Sequence, residues 1–245
     1  MRNNDGIREA DAFNSEQRVP VGLCIDTSGS MRVTTGGTPT GEVVSIDGKR
    51  YQVVKGGTSR MDVLQKGLEN LFNTLYNNDR TRNAAELAIV TFDDTARLIK
   101  DFSNVEDGGR RQDVPQLETH DRTSLGAGVN LTLDCLGKRK NKYKREGIEY
   151  YQPWIVIVSD GEDNGSEEEF ERAKSRIREL VSKKKLSVYP FFIGTSEGAD
   201  KLEELCNRKP AHIEKADIGK MFEWIGKSVE DATNGFEIKP WNQLL

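Results

Sequence analysis

Val19-Pro20-Val21-Gly22-Leu23-Cys24-Ile25-Asp26-Thr27-Ser28-Gly29-Ser30-Met31 is an apolar run that ends in one carboxylate and two hydroxyls at alternate positions. A run of this kind, closed by turn residues, suits a buried parallel strand with both faces covered. Asp26 then falls at the carboxyl end of the strand. In an open α/β sheet the crevice beyond the strand ends is where ligands bind, so the position points to a site. Asp26, Ser28 and Ser30 offer only oxygen, a hard donor set that suits magnesium, manganese or calcium and fits zinc poorly. Gly29 is expected to let the loop bend back over such an ion.

Three oxygens from one loop are too few for an octahedral cation, so further donors are expected elsewhere in the chain. Thr123 is one candidate, in Asp121-Arg122-Thr123-Ser124-Leu125-Gly126-Ala127-Gly128 just before an apparent helix. Asp160 is the other, closing a second apolar run, Trp154-Ile155-Val156-Ile157-Val158-Ser159-Asp160-Gly161.

Together, Asp26-Thr27-Ser28-Gly29-Ser30-Met31, Thr123 with Leu125 and Gly126, and Ser159-Asp160-Gly161 resemble the metal-ion-dependent adhesion site of von Willebrand factor A domains. The resemblance extends over roughly positions 17 to 232. It implies an α/β, doubly wound, mainly parallel six-stranded sheet of order 3-2-1-4-5-6, with one antiparallel edge strand and helices on both faces. In that order the strands ending at Asp26 and Asp160 are neighbours where the order reverses. The resemblance also implies that Ser28, Ser30 and Thr123 bind Mg2+ directly, with Mn2+ or Ca2+ as substitutes, while Asp26 and Asp160 hold it partly through water. The implied role is non-enzymatic: a divalent-metal-dependent module whose ion is bridged by an Asp or Glu of a partner protein. Arg122 stands where members of the family often carry glycine, and its guanidinium is expected to crowd the ion or bind the incoming carboxylate. The lead-in Glu16-Gln17-Arg18, with Pro20 near the strand start, is similar to the bacterial tellurite-resistance (TerY-like) group of these domains. That similarity implies stress response or signalling, with an associated kinase or phosphatase among the partners.

A chain of 245 residues is long enough for one large α/β domain, and 35% hydrophobic with 31% charged residues describes a well-solvated surface. The expected organisation is a polar amino-terminal tail at 1–17, one domain at 18–233 with a β-hairpin insertion at about 32–58, and a tail at 234–245. A net charge of −4 creates no field that recruits nucleic acid or an anionic membrane. Met1-Arg2-Asn3-Asn4-Asp5-Gly6 has no apolar core of the signal-peptide kind, and no run is long enough to span a bilayer, so a cytoplasmic location is expected. Cys24, Cys135 and Cys206 are far apart and read as buried free thiols.

The remaining segments follow the same logic. Asp47-Gly48, flanked by β-favouring residues, signals the inserted hairpin. Ser59 and Asp62 suit a helix cap, and Met61, Leu64, Leu68, Leu71, Phe72 and Leu75 recur at helical spacing up to Asn77-Asn78-Asp79. Leu87 to Phe92 and Ala96 to Phe102 read as a strand and its antiparallel edge partner, with Asp93-Asp94 in turn duty. Gly126, Ala127 and Gly128 keep the first turn of the 125–136 helix slim, which is expected to bring it close to the metal loop. The basic stretch Lys138 to Arg145 reads as a solvated helix end. Ser166 with Glu169 reads as a capping box, and Glu162 and Asp163 add negative potential near the ion. Pro190 is awkward in the 186–193 strand and is expected to cause a bulge or break. Ala199 to Cys206, Ala211 to Glu214 and Ile218 to Val229 read as a helix, a short strand and a final helix. Trp241 and the two terminal leucines are expected to dock on the body.

The alternative is a metal-dependent phosphohydrolase of haloacid-dehalogenase type using Asp26. Those enzymes place a second aspartate two residues on, where this chain has Ser28. The triplet Gly226-Lys227-Ser228 has Met221 where a phosphate loop carries its first glycine, and the Gly-x-Ser-x-Gly match at Gly194-Thr195-Ser196-Glu197-Gly198 has no convincing histidine partner in the sequence. His120 lies close to Thr123 without a nucleophile motif, and His212 sits in a late connection; both read as non-catalytic.

Overall fold

The computed structural model describes residues 16–35, 37–46, 49–105, 114–120, 122–161, 163–193 and 199–241. β1 (Val19–Asp26) leads through a 3-10 turn (Gly29–Arg32) into β2 (Thr34–Thr35), β3 (Thr38–Ile46), β4 (Lys49–Lys55) and β5 (Thr58–Ser59). Helices α1 (Arg60–Tyr76) and α2 (Asp79–Ala84) precede β6 (Ala85–Phe92) and β7 (Ala96–Asn104). There follow α3 (Leu125–Glu146), β8 (Trp154–Ser159), α4 (Glu167–Ser182), β9 (Ser187–Ile193), α5 (Ala199–Cys206), β10 (Ala211–Ile213) and α6 (Ile218–Thr233).

Six strands form one sheet in the order β10-β9-β8-β1-β6-β7. Numbered within the sheet alone, this is the expected 3-2-1-4-5-6, with every pairing parallel except that of the edge strand β7. All eight residues of β1 are buried, and they divide by parity. Val21, Leu23 and Ile25 join the core under α1 and α6, while Cys24 joins the core under α3, α4 and α5. A sheet covered on both faces thus follows from strands that are apolar at every position.

Several local expectations are met. Ser59 and Asp62 form a reciprocal capping box at the start of α1, and the three cysteines are buried and free. Burial pushes the Cys24 thiol up to about 12. The expected hairpin pairs β3 with β4, while β2 and β5 form a short ribbon at its root. Its Asp47-Gly48 turn lies outside the described residues, as do Glu162 and most of the amino-terminal tail. Trp241 packs edge-on against Phe191 and Trp224, and the Trp224 indole donates to the Lys239 carbonyl at 2.9 Å. Leu244 and Leu245 lie outside the described residues.

Other expectations need correction. Asn77-Asn78-Asp79 ends α1 but also starts α2, because the Asn78 side chain accepts from the amides of Arg80 and Thr81. At Pro190 the β8–β9 ladder runs from Trp154↔Ser187 to Ser159↔Phe192 without a shift. The proline is tolerated because β10 pairs only with residues 191–193. Arg208 donates to the Val188 carbonyl at 3.0 Å on that open flank. Backbone groups two residues apart on a strand point the same way, so Pro190 lacks its N–H where β9 has no partner strand.

The slim start of α3 serves helix and sheet rather than the Asp26 loop. A Cβ at Gly126 would lie 2.5 Å from the Phe170 amide nitrogen of α4, and one at Gly128 would lie 2.6 Å from the Phe92 ring. The basic end of α3 is only partly solvated. Tyr143 is fully buried and donates to the buried Glu86, which also pairs with Arg139 Nε at 2.5 Å and Arg18 Nε at 3.4 Å. Burial and the Glu86 charge together raise the Tyr143 phenol well above its ordinary range. At α4 half of the expected box is present: Ser166 Oγ accepts from the Glu169 amide at 3.5 Å, while the Glu169 carboxylate faces Arg172 at 3.7 Å.

Candidate functional site

Parallel pairing brings the ends of β1 and β8 side by side. Val21↔Trp154 to Ile25↔Val158 are partners, so Ser159 and Asp160 emerge next to Asp26. Each oxygen of Asp26 is engaged: Oδ1 accepts from the Ser28 amide at 2.9 Å and Oδ2 from the Ser159 hydroxyl at 2.7 Å. Ser159 Oγ in turn accepts from the Gly161 amide at 2.9 Å, which fixes the hydroxyl's orientation. The Ser28 and Ser30 hydroxyls are 3.0 Å apart and both side chains are buried.

The 120–124 segment is tied to both loops. The His120 amide donates to the Thr27 carbonyl at 3.0 Å, and the Asn164 amide donates to the Thr123 carbonyl at 2.8 Å. Thr123 is 1% exposed, and among the described residues its Oγ1 has no hydrogen-bond partner. Buried polar atoms are normally paired, so this hydroxyl lacks its natural complement. Asp160 is also buried, and Arg60 at the start of α1 approaches its Oδ2 at 3.6 Å.

Burial and then the neighbouring Asp160 charge push the Asp26 carboxyl up to about 8, against the bonds from Ser28 and Ser159. Two close carboxylates removed from water disfavour a second negative charge, and a cation reverses that preference. Among the described residues no group of three or more His, Cys, Asp or Glu side chains could hold a metal ion. A cation in this crevice therefore depends on Ser and Thr hydroxyls beside the two aspartates, and that donor set matches a hard divalent ion.

Neighbouring residues have other roles. Asp93 is completely buried and accepts from Thr27 Oγ1 at 3.1 Å, the Thr95 amide at 3.2 Å and Arg97 at 2.6 Å. Its turn thereby braces the Asp26 loop as well as closing β6 onto β7. Asp163 accepts from the Leu125 and Gly165 amides, so it anchors the start of α3. Arg122 is exposed, with its amide on Asp94. Gly29 opens the 3-10 turn without the left-handed backbone that glycine alone favours. Sequence reasoning assigned no role to Ser159 or Arg60. Ser159 was visible beside Asp160, whereas the only local signal at Arg60 was a cation placed at a helix start, where the dipole disfavours it.

An open, mostly parallel sheet with a buried oxygen-lined crevice at the end of its central strands defines the class. The sequence profile of the von Willebrand factor type A domain matches residues 21–163, more than half of the chain. The protein belongs to that family. No curated protein matches the chain. Among solved structures it is similar to the PilB minor pilin from Streptococcus sanguinis, with 16% identity and a TM-score of 0.56 over 94% of this chain and 64% of that one. It is also similar to the vWF domain of the type V pili tip protein Mfa5 from Porphyromonas gingivalis, with 9% identity and a TM-score of 0.62 over 91% and 99%. The SpRpn10 VWA domain matches with 14% identity and a TM-score of 0.53 over 85% and 95%. The chain thus spans less than two thirds of the pilin's length, and these likenesses show the fold alone. Among the described residues no helix is long and apolar enough to cross a membrane.

Proposed function

We propose that the chain is a non-enzymatic protein-binding module whose crevice holds a divalent cation, Mg2+ first, with Mn2+ or Ca2+ as substitutes. Ser28, Ser30 and Thr123 supply direct oxygens, while Asp26 and Asp160 act partly through water. The observation that carries this reading is the buried Thr123 hydroxyl, unpartnered among the described residues, on a segment bonded to the loops that follow Asp26 and Asp160, two carboxylates that disfavour joint ionisation. One cation answers both features. The engagement of both Asp26 oxygens supports its indirect role, since Ser28 and Ser159 hold the carboxylate in place. When bound, the ion supplies an electropositive centre that a partner's Asp or Glu can fill.

The same geometry disfavours the phosphohydrolase alternative. A nucleophilic aspartate needs a free oxygen, whereas Asp26 is buried and bonded at both oxygens. Membership of the TerY-like group, a bacterial cytoplasmic stress or signalling context, and a kinase or phosphatase as associate extend this proposal. The group, its context and the associate rest on the Glu16-Gln17-Arg18 lead-in with Pro20 near the strand start, and the cytoplasmic location rests on the apolar patterning of the sequence.

Calorimetric titration of Mg2+ into the protein and into Thr123→Ala is the test. Removing one direct ligand should weaken binding at least tenfold with the circular dichroism spectrum preserved. Unchanged affinity refutes the assignment.

A further inference from the structure

We propose that Arg60 is a competitor for the cation built into the fold: without metal its guanidinium neutralises Asp160, and it must swing away before the ion can be held. This regulation of the crevice rests on the metal reading above. The guanidinium lies 3.6 Å from Asp160 Oδ2, with the two side chains 21% and 7% exposed. A pair this sheltered is screened less than a surface pair. A guanidinium and a divalent ion at one carboxylate also repel each other, so the two cations exclude one another there.

The position of Arg60 supports a role beyond helix formation. It is the first residue of α1, where the helix dipole favours negative charge and disfavours a cation. Asp160 supplies the compensating charge from another loop. The Arg60 backbone is held at both ends, since its amide donates to the Val33 carbonyl at 3.2 Å and Ser59 and Asp62 cap each other around it. Release therefore falls to the side chain.

Its attachment connects the crevice to the insertion. Val33 directly follows the turn carrying Ser30, and the β2–β5 ribbon pairs Thr34 with Ser59 and Thr35 with Thr58. One short ribbon thus joins the Ser28–Ser30 loop, the root of the β3–β4 hairpin and the competing guanidinium. Metal occupancy can be communicated along it to the hairpin.

The test compares wild type, Arg60→Gln and Arg60→Lys by Mg2+ calorimetry, with thermal unfolding in chelator and in excess Mg2+. Arg60→Gln should bind Mg2+ roughly tenfold more tightly, because a positive charge at contact distance has gone. Arg60→Lys should stay near wild type. In chelator Arg60→Gln should melt below wild type, and Mg2+ should raise its melting temperature by more than it raises that of wild type. A purely structural arginine would lower melting equally in both buffers and leave affinity unchanged, which overturns the proposal. If Arg60→Gln matches wild type while Thr123→Ala loses the ion, competition fails and the metal site stands. If no variant binds Mg2+, both fail together.

Discussion

Two glycines on one helix provide a test of how α3 is seated over the sheet. Gly126 and Gly137 both lie within α3, and alanine is intrinsically favoured over glycine in a helix by about 1 kcal/mol. At Gly137 an added Cβ meets nothing within 4 Å, so Gly137→Ala should gain most of that amount. At Gly126 the same methyl would lie 2.5 Å from the Phe170 nitrogen, 2.7 Å from the Glu169 carbonyl carbon and 2.7 Å from the Phe170 Cα. These are backbone atoms at the start of α4, so no side chain can rotate to make room. Relieving the overlap needs a helix displacement of about 1 Å to restore ordinary carbon contacts. Overpacking of this kind typically costs about 1–3 kcal/mol. The upper part of that range applies, giving a net loss of about 1–2 kcal/mol after the propensity gain. At about 2–4 °C per kcal/mol for a chain of this size, Gly126→Ala should melt roughly 2–8 °C below wild type and Gly137→Ala a few degrees above. Thermal and urea unfolding followed by circular dichroism measure both. If Gly126→Ala proves as stable as Gly137→Ala, the close approach of α3 and α4 is wrong.

Glu86 should be the most sensitive charged position in the sheet, because Arg18, Arg139 and Tyr143 all converge on it away from water. Glu86→Ala leaves buried cationic groups uncompensated and should cost about 3–5 kcal/mol in urea unfolding, and a loss under 1 kcal/mol would contradict the network. For Asp93, burial alone would raise the carboxyl, but hydrogen bonds from Arg97, the Thr95 amide and Thr27 outweigh it and hold it below the usual range. Its stabilisation is fully present above the unfolded-state value of about 3.9 and is lost as pH falls through the depressed folded value. Asp93→Asn should therefore flatten part of the stability loss below about pH 4, and an identical acid profile would count against this role.

What was legible in the sequence shares one property: the signal and its cause lie in the same stretch. The β1 run, the Ser59–Asp62 cap and the stripe from Met61 to Leu75 each declare an element through their own spacing, and order and sidedness follow from parallel crossovers. The residues proposed as oxygen donors could be picked out for the same reason, since each stands at a strand end or helix start. What escaped depends on partners far away in the chain. Glu86 interrupts an apolar strand and reads as a boundary until Arg18 and Arg139 are known to flank it. Tyr143 reads as solvated because its neighbours in sequence are lysines, although in space it is buried against Tyr150, Glu86 and the Arg139 guanidinium. Pro190 reads as a break because no local feature says that β10 begins pairing only one residue later. Arg60 belongs with these cases: a cation in the first turn of α1 opposes the local rule, and Asp160, a hundred positions away in sequence, accounts for it. Residues that violate local preference while meeting a distant charge are where this fold departs from helix and strand chemistry, and Glu86 and Arg60 separate the two reasons for doing so. Glu86 has three partners and no route to water, so it can only stabilise. Arg60 pairs with Asp160 at the crevice with its side chain 21% exposed, and the proposed exchange with a cation draws on that exposure.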